Sequence, residues 1–200
     1  KIPTANGKQW NSQWQSALWA GSAGMGAWLL WDELDPELQW LAARMIADEA
    51  NRFVGQTPPS QVEDDTKAEE NAWNSFVVSL AACMFPHHPN HQDWLDTAEA
   101  WAVSSFVRQA DVESSRTIDG KTLAERGIGP TLHNDYTMEN HHRVHPDYMN
   151  TINICIEQWV MYEWAGLPQP EALSFNTRPV YDNLRALTFP DLGYIYINGQ

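Results

Sequence analysis

The sequence has little positive charge and no long apolar run. Lysine and arginine together number 12, against 26 aspartates and glutamates, which gives a net charge of −14. Nucleic acids and anionic membrane surfaces both require clustered basic residues, so we expect neither as a partner. The longest uncharged stretch, residues 9–31, is interrupted by polar residues and glycines. Its apolar part is shorter than the roughly 20 residues that a membrane-spanning helix needs.

Cysteine is scarce, and several common catalytic motifs are absent. The two cysteines, Cys83 and Cys155, both fall in apolar runs typical of helices, so we expect buried free thiols rather than a disulfide. The sequence has no nucleophile elbow, no phosphate-binding glycine loop and no paired C-x-x-C motif. It therefore gives no support for a serine hydrolase, a nucleotide-binding protein or a zinc finger.

Tryptophan, by contrast, is abundant, with 11 in 200 residues. Two interpretations are open. The indoles could fill the core of a helical protein, or some could line a sugar-binding cleft in which aromatic faces stack on pyranose rings. Hydrophobic residues make up 43% of the chain and charged residues 19%, a composition that excludes a disordered protein.

Hydrophobic periodicity predicts six helical segments that alternate in character. The first is nearly uncharged all round, the third is apolar on every side over residues 76–85, and the fifth is mostly apolar around residues 152–156. The second, fourth and sixth are amphipathic. A helix that is apolar all round is enclosed by protein, and an amphipathic helix has one face in water. The pattern therefore predicts an all-α fold of helical hairpins, with inner helices surrounded by outer ones in an (α/α)n toroid. The predicted segments cover residues 10–31, 36–53, 68–85, 92–109, 146–165 and 179–189.

Three hairpins amount to about half of a six-hairpin ring. We therefore expect residues 1–200 to form a single α/α-toroid domain that belongs to a longer chain. Two long connections, residues 55–67 and 111–145, are expected on one face together with the tail after residue 189. Connections of more than about 12–15 residues are usually functional or disordered, so this face is the predicted position of a site.

Polar residues form a first cluster in residues 63–73, just before the third segment. Thr66 and Glu69 have the spacing of a helix capping box. That interpretation leaves Asp64, Asp65 and Glu70, beside Asn71, available to act as acid or base or to bind a ligand.

A second cluster, residues 132–148, contains four histidines, two tyrosines, two asparagines, two aspartates, one glutamate and Arg143. Such a concentration of imidazoles and phenols is unusual for a solvated loop and favours a functional role. His141 and His145 are separated by a stretch resembling a turn, unlike the two histidines of an H-E-x-x-H helix. We therefore predict no metal site.

Residues 65–73, 81–86 and 139–148 resemble the α/α-toroid domain of polysaccharide lyases, most closely the heparinase II/III-like and alginate-lyase-like group. In that group an Asn neutralises the carboxylate of a uronate, a His or Tyr removes the C5 proton, and a Tyr protonates the leaving oxygen. The Asn140-His141 pair is similar to the Asn-His pair of these enzymes. Tyr136 or Tyr148 is then the candidate acid, with Tyr194 and Tyr196 as alternatives.

The resemblance implies a secreted or periplasmic lyase that cleaves an acidic polysaccharide or oligosaccharide by β-elimination without a cofactor. Two other functions stay open: a toroidal glycoside hydrolase with paired carboxylates, and a non-catalytic glycan-binding module. The predicted catalytic residues are Asn140, His141, Tyr136 and Tyr148. The predicted substrate-binding residues are Glu70, Asn71, Trp73, His145 and Asn198. The carboxylates considered for a hydrolase are Asp64, Asp65, Glu70, Asp135 and Glu139.

Overall fold

The computed structural model describes residues 13–195, which are mostly helical, as the sequence predicts. None of the described helices is long and apolar enough to cross a membrane. The helices are α1 (Ser16–Leu29), α2 (Pro36–Phe53), α3 (Ala68–Met84), α4 (His91–Ser104), α5 (Gln109–Val112), α6 (Leu123–Arg126), α7 (Pro146–Met149), α8 (Ile152–Ala165) and α9 (Thr177–Ala186). Strands β1 (Thr117–Ile118) and β2 (Lys121–Thr122) form one antiparallel pair, and β3 (Glu139–Asn140) and β4 (Arg143–Val144) form another.

Helix α3 lies at the centre and packs against α1, α2, α4 and α8. Every residue from 71 to 83 is buried. These residues carry no charge, so enclosing them removes apolar surface from water without desolvating an ion. Two of the polar side chains inside are bonded to Gln158 of α8: Ser79 donates to Gln158 Oε1 at 2.8 Å, and Gln158 Nε2 donates to Ser75 at 2.9 Å. The prediction of a fully enclosed third segment is confirmed.

The same prediction is wrong for the first and fifth segments, because α1 and α8 bury only one face. Trp19 and Leu29 of α1 are exposed, as are Trp159 and Trp164 of α8. Each helix packs one face on α3 and leaves large apolar side chains on its outer face, which in α8 also carries Glu157 and Glu163. A mostly apolar composition therefore does not require that a helix is enclosed on every side.

The helix starts agree better with prediction than the long connections do. Asp35 caps α2 by accepting a hydrogen bond from the backbone N–H of Leu38 at 2.9 Å, with Pro36 in the first turn, as predicted. The predicted fifth segment divides around residues 150–151 into α7 and α8, and the fourth ends at Ser104. The connection 111–145 contains all four short strands, which the sequence analysis treated as loop.

The capping box predicted for Thr66 and Glu69 does not form. The Thr66 hydroxyl accepts a hydrogen bond from the backbone N–H of Ala68 at 3.2 Å and donates to the carbonyl oxygen of Thr131 at 2.7 Å. The backbone N–H of Thr66 donates to the carbonyl oxygen of Glu139 at 2.9 Å. The 132–145 connection thus supplies the partner that the capping box assigned to Glu69.

Two glycines of α1 provide a matched test of its packing. A Cβ atom on Gly24 would lie 2.7 Å from Leu80 Cδ2 and 2.8 Å from Ile46 Cγ1, whereas a Cβ on Gly26 would meet nothing within 4 Å. We expect Gly24→Ala to lower the free energy of unfolding by about 1–3 kcal/mol through overpacking. Gly26→Ala should raise it by about 0.5–1 kcal/mol because alanine loses less backbone entropy. Urea unfolding of both variants checks this, and equal effects would contradict the packing of α1 on α3.

Cys83 and Cys155 are free and buried, which confirms the prediction from their apolar surroundings. Burial raises the pKa of each thiol to about 12. The thiolate is the reactive form, so we expect neither residue to react with a thiol reagent in the native state. Labelling in increasing urea should follow global unfolding. Rapid labelling of either cysteine without denaturant would contradict the structure.

Candidate active site

The turn between β3 and β4 consists of His141 and His142, both in the left-handed region with φ of 52° and 61°. Two positive φ angles identify the tight two-residue hairpin turn in which Asn-Gly is the usual sequence. For a residue with a Cβ atom, this backbone conformation raises the free energy of the folded state by roughly 1–2 kcal/mol. Backbone strain of this kind concentrates at functional sites, so this hairpin is the first candidate.

The hairpin is attached to the segment that leads into α3. Glu139 Oε1 accepts a hydrogen bond from the backbone N–H of Asp64 at 2.9 Å, and its Oε2 lies 3.2 Å from Nε2 of His133. Asn140 forms an isolated antiparallel bridge with Asp65 and donates its Nδ2–H to Asp65 Oδ1 at 3.1 Å. These contacts place the histidine turn beside the N-terminus of α3.

Helix α7 supplies the partner of His141. Tyr148 Oη lies 3.2 Å from Nε2 of His141. The buried ring of His145 is 4.7 Å from the Tyr148 ring and 5.9 Å from the His141 ring, centre to centre. Partial burial, followed by the charges of Glu69 and Asp65, raises the pKa of Tyr148. The phenol therefore keeps its proton, which suits a general acid better than a base.

Two cavities meet at this pair, with volumes of about 300 Å³ and 430 Å³. They share Glu69, His141 and Tyr148, and we refer to them together as the Glu69 cleft. None of the described residues that line the cleft is Lys or Arg. Lys67 stands beside it, paired with Asp65 at 2.7 Å and with Glu70 at 3.4 Å. The carboxylates that line the cleft are Asp64, Asp65, Glu69, Glu70 and Asp147.

Glu69 is the functional candidate that the sequence analysis missed. Burial, followed by the charges of Glu70 and Asp65, raises its pKa to about 7, while Lys67 acts in the opposite direction. A carboxyl group with this pKa can donate a hydrogen bond or a proton at neutral pH. The sequence signal for this candidate is that four carboxylates fall within residues 64–70, directly before the uncharged residues 71–83.

The structure brings most of the predicted site residues together. Asn140, His141, His145, Tyr148 and Glu70 all line the Glu69 cleft. The prediction that Asn71 and Asn140 share one end of the helices also holds, since Asn140 bonds to Asp65, three residues before α3, and Asn71 lies in the first turns of α3.

Other predicted site residues lie elsewhere. Asn71 is buried in the core and donates its Nδ2–H to the carbonyl oxygen of Pro59 at 2.9 Å. Trp73 is buried against Trp14, with ring centres 5.2 Å apart, and only Trp14 lines the cleft. Tyr136 lines neither cavity of the cleft, and its ring lies 4.0 Å from the Arg108 guanidinium carbon. Asn198 and Tyr196 lie outside the described residues.

The raised pKa of Glu69 predicts a dependence of stability on pH. Because the folded-state pKa of about 7 exceeds the usual 4.5, the folded state holds this proton more tightly than the unfolded state. Its stabilising effect is complete below pH 4.5 and is lost as pH rises to about 7. We expect Glu69→Gln to have a free energy of unfolding near that of the wild type at pH 4 and about 1–2 kcal/mol higher at pH 8, allowing for solvent screening. Urea unfolding at both pH values checks this, and a difference independent of pH would contradict it.

Comparison with known proteins found no match among protein family models, curated proteins or solved structures. Within residues 13–195, no three His, Cys, Asp or Glu side chains are grouped so as to hold a metal ion.

Proposed function

We propose that the protein is a polysaccharide lyase that cleaves a uronate-containing glycan by β-elimination in the Glu69 cleft. The observation that carries this proposal is the contact of Tyr148 Oη with His141 Nε2 at 3.2 Å, beside Asn140 and Glu69. In this arrangement His141 would be the base and Tyr148 the acid, with Asn140 and Glu69 as hydrogen-bond donors in the same cleft. The resemblance to the heparinase II/III-like and alginate-lyase-like group assigns a base and an acid to the same residue types.

The first step is removal of the C5 proton of the uronate. This proton is weakly acidic until the negative charge of the adjacent carboxylate is offset. The protonated carboxyl of Glu69 and the amide of Asn140 are the donors that would stabilise the enolate-like intermediate, as donors of an oxyanion hole do. Neutral His141 accepts the proton at Nε2.

The second step breaks the glycosidic bond. The electron pair left at C5 forms a C4=C5 double bond, the C4–O bond breaks, and Tyr148 gives its proton to the leaving oxygen. His141 is then protonated and Tyr148 is deprotonated. Their contact of 3.2 Å allows the proton to return directly from Nε2 to Oη, which restores both groups for the next cycle.

We also propose that the helices form part of an (α/α)n toroid, with α1–α2, α3–α4 and α8–α9 as its hairpins. Full enclosure of α3 is typical of an inner helix. Large apolar side chains are exposed on the outer faces of α1 and α8, and further hairpins of a ring would pack on them.

A glycoside hydrolase is the second candidate, and the carboxylates of the cleft favour it. Glu69, with its raised pKa, would be the general acid, and an ionised neighbour such as Asp65 or Glu70 would be the base or nucleophile. Five carboxylates and no lining Lys or Arg make an anionic substrate more costly to bind than a neutral one.

The reaction product distinguishes a lyase from a hydrolase and from a non-catalytic module. We expect ultraviolet absorbance from the new C4=C5 double bond when the protein acts on a panel of uronate polymers. New reducing ends without that absorbance would replace the lyase with a hydrolase. Binding of a glycan with no new chain ends at all would instead support the non-catalytic module.

A further inference from the structure

A separate cavity, of about 530 Å³, shares no lining residue with the Glu69 cleft. Tyr148 lines the cleft, and Asn150, two residues later, lines this cavity. The start of α8, the helix α9 and residues 188–194 complete its wall, and we refer to it as the α8–α9 cavity. Cavities of this size commonly hold a small ligand.

The lining of this cavity differs in charge from the Glu69 cleft. Among the described residues that line it, Arg185 is the one charged side chain. The rest of the wall is largely aromatic and aliphatic, with Tyr181, Phe189 and Tyr194 contributing rings and Asn150 and Asn153 contributing amides. The two amides are joined by a hydrogen bond of 2.9 Å. An apolar wall with a few convergent polar groups is typical of a ligand site.

The segment after α9 closes into a small loop over this cavity. Phe189 N–H donates to the carbonyl oxygen of Gly193, and Ile195 N–H donates to that of Leu187, both at 2.7 Å. At its tip Leu192 has a φ of 71° and is 81% exposed. A bulky side chain rarely adopts this conformation, and strained residues cluster at ligand-binding positions. The loop thus holds a large apolar side chain at the rim of the cavity at some energetic cost.

We infer that the α8–α9 cavity is a second binding site for a uronate residue. A pyranose ring would pack on the aromatic wall, the asparagine amides would bond its hydroxyls, and Arg185 would pair with its carboxylate. The choice of an acidic sugar rests on the function proposed above, and the position of Arg185 supports it independently. Arg185 Nη1 lies 3.6 Å from Asp182 Oδ1, but Asp182 does not line the cavity, so the lining contains a basic side chain that the lining of the Glu69 cleft lacks.

Free glucuronate is a suitable probe because it has no glycosidic bond to cleave. Chemical-shift mapping of the wild-type protein should show glucuronate perturbing residues around Arg185 and Tyr181. Glucose should bind more weakly, since it lacks the charge. Arg185→Gln should weaken glucuronate binding about ten- to hundredfold, the usual effect of losing a hydrogen bond between charged groups.

Arg178→Gln is the matched control. Arg178 Nε and Arg185 Nη1 both contact Asp182, at 3.0 Å and 3.6 Å, but only Arg185 lines the cavity. The control should therefore bind glucuronate as the wild type does. Equal losses in both variants, an unchanged affinity in Arg185→Gln, or equal binding of glucose and glucuronate would overturn the inference. Acetate that reproduces the glucuronate shifts would also overturn it, by identifying a simple anion site.

The outcome is separable from that of the lyase assay. Cleavage of a uronate polymer without glucuronate binding that depends on Arg185 would overturn this site and leave the proposed function intact. Glucuronate binding that depends on Arg185, in a protein that cleaves no such polymer, would overturn the proposed function and leave this site intact.

Discussion

His141→Asn should reduce turnover of a uronate polymer by about 10²- to 10⁴-fold, the usual contribution of a general base. Asparagine tolerates the left-handed backbone that residue 141 adopts, with a φ of 52°, so the hairpin should keep its shape. Tyr148→Phe should cause a loss of similar size, because it removes the proton that the leaving oxygen takes. Initial rates of double-bond formation measure both, and circular dichroism checks that the helices remain.

His142→Asn is the control for this comparison. His142 occupies the other left-handed position of the same turn, with a φ of 61°. Its ring also lines the Glu69 cleft, but it is mostly exposed and contacts Asp64 at 2.6 Å, whereas the His141 ring contacts Tyr148. The same substitution at this position should leave turnover within a few-fold of the wild type. Equal losses at 141 and 142 would attribute the effect to the turn itself, and full activity of His141→Asn would eliminate it as the base.

Local sequence patterns predicted the helices well where a pattern is compatible with only one local structure. Asp35 followed by Pro36 marks a helix start by satisfying backbone N–H groups, and α2 begins there. The uncharged residues 71–83 favour an enclosed position, and they are buried. The outer faces of α1 and α8 were not predictable in the same way. Whether an apolar face is covered depends on which other elements reach it, and periodicity along one helix carries no information about that.

Only the part of the candidate site that is local in the sequence could be predicted. Asn140, His141 and Tyr148 lie within nine residues of one another, so a turn followed by a helix brings them together. Glu69 was assigned to a capping box because the Thr-x-x-Glu spacing is a local signal. The competing bond comes from Glu139, whose carbonyl oxygen accepts the N–H of Thr66. A partner more than 70 residues away in the chain leaves no trace in the local pattern, so the release of Glu69 into the cleft could only be seen in three dimensions.

Glu69→Ala should lower kcat/KM for a uronate polymer by about 10²- to 10³-fold, the typical effect of removing one donor to a developing negative charge. Glu69→Gln should retain most of the activity at pH 6, since the amide can still donate a hydrogen bond to the carboxylate of the uronate. The two variants therefore separate the loss of the donor from the loss of the acidic proton.

The pH profile of the same variants completes the test. Burial and the neighbouring carboxylates raise the pKa of Glu69 to about 7, so the wild type loses this donor as pH rises through 7. An ionised Glu69 also repels the uronate, and wild-type kcat/KM should fall over the same range. Glutamine cannot ionise, so in Glu69→Gln this alkaline decline should be absent or shifted to higher pH.

A hydrolase that uses Glu69 as its general acid behaves differently, because there the amide has no proton to give to the leaving oxygen. If Glu69→Gln is as inactive as Glu69→Ala at every pH, Glu69 transfers a proton rather than donating a hydrogen bond, and the hydrolase becomes the better assignment.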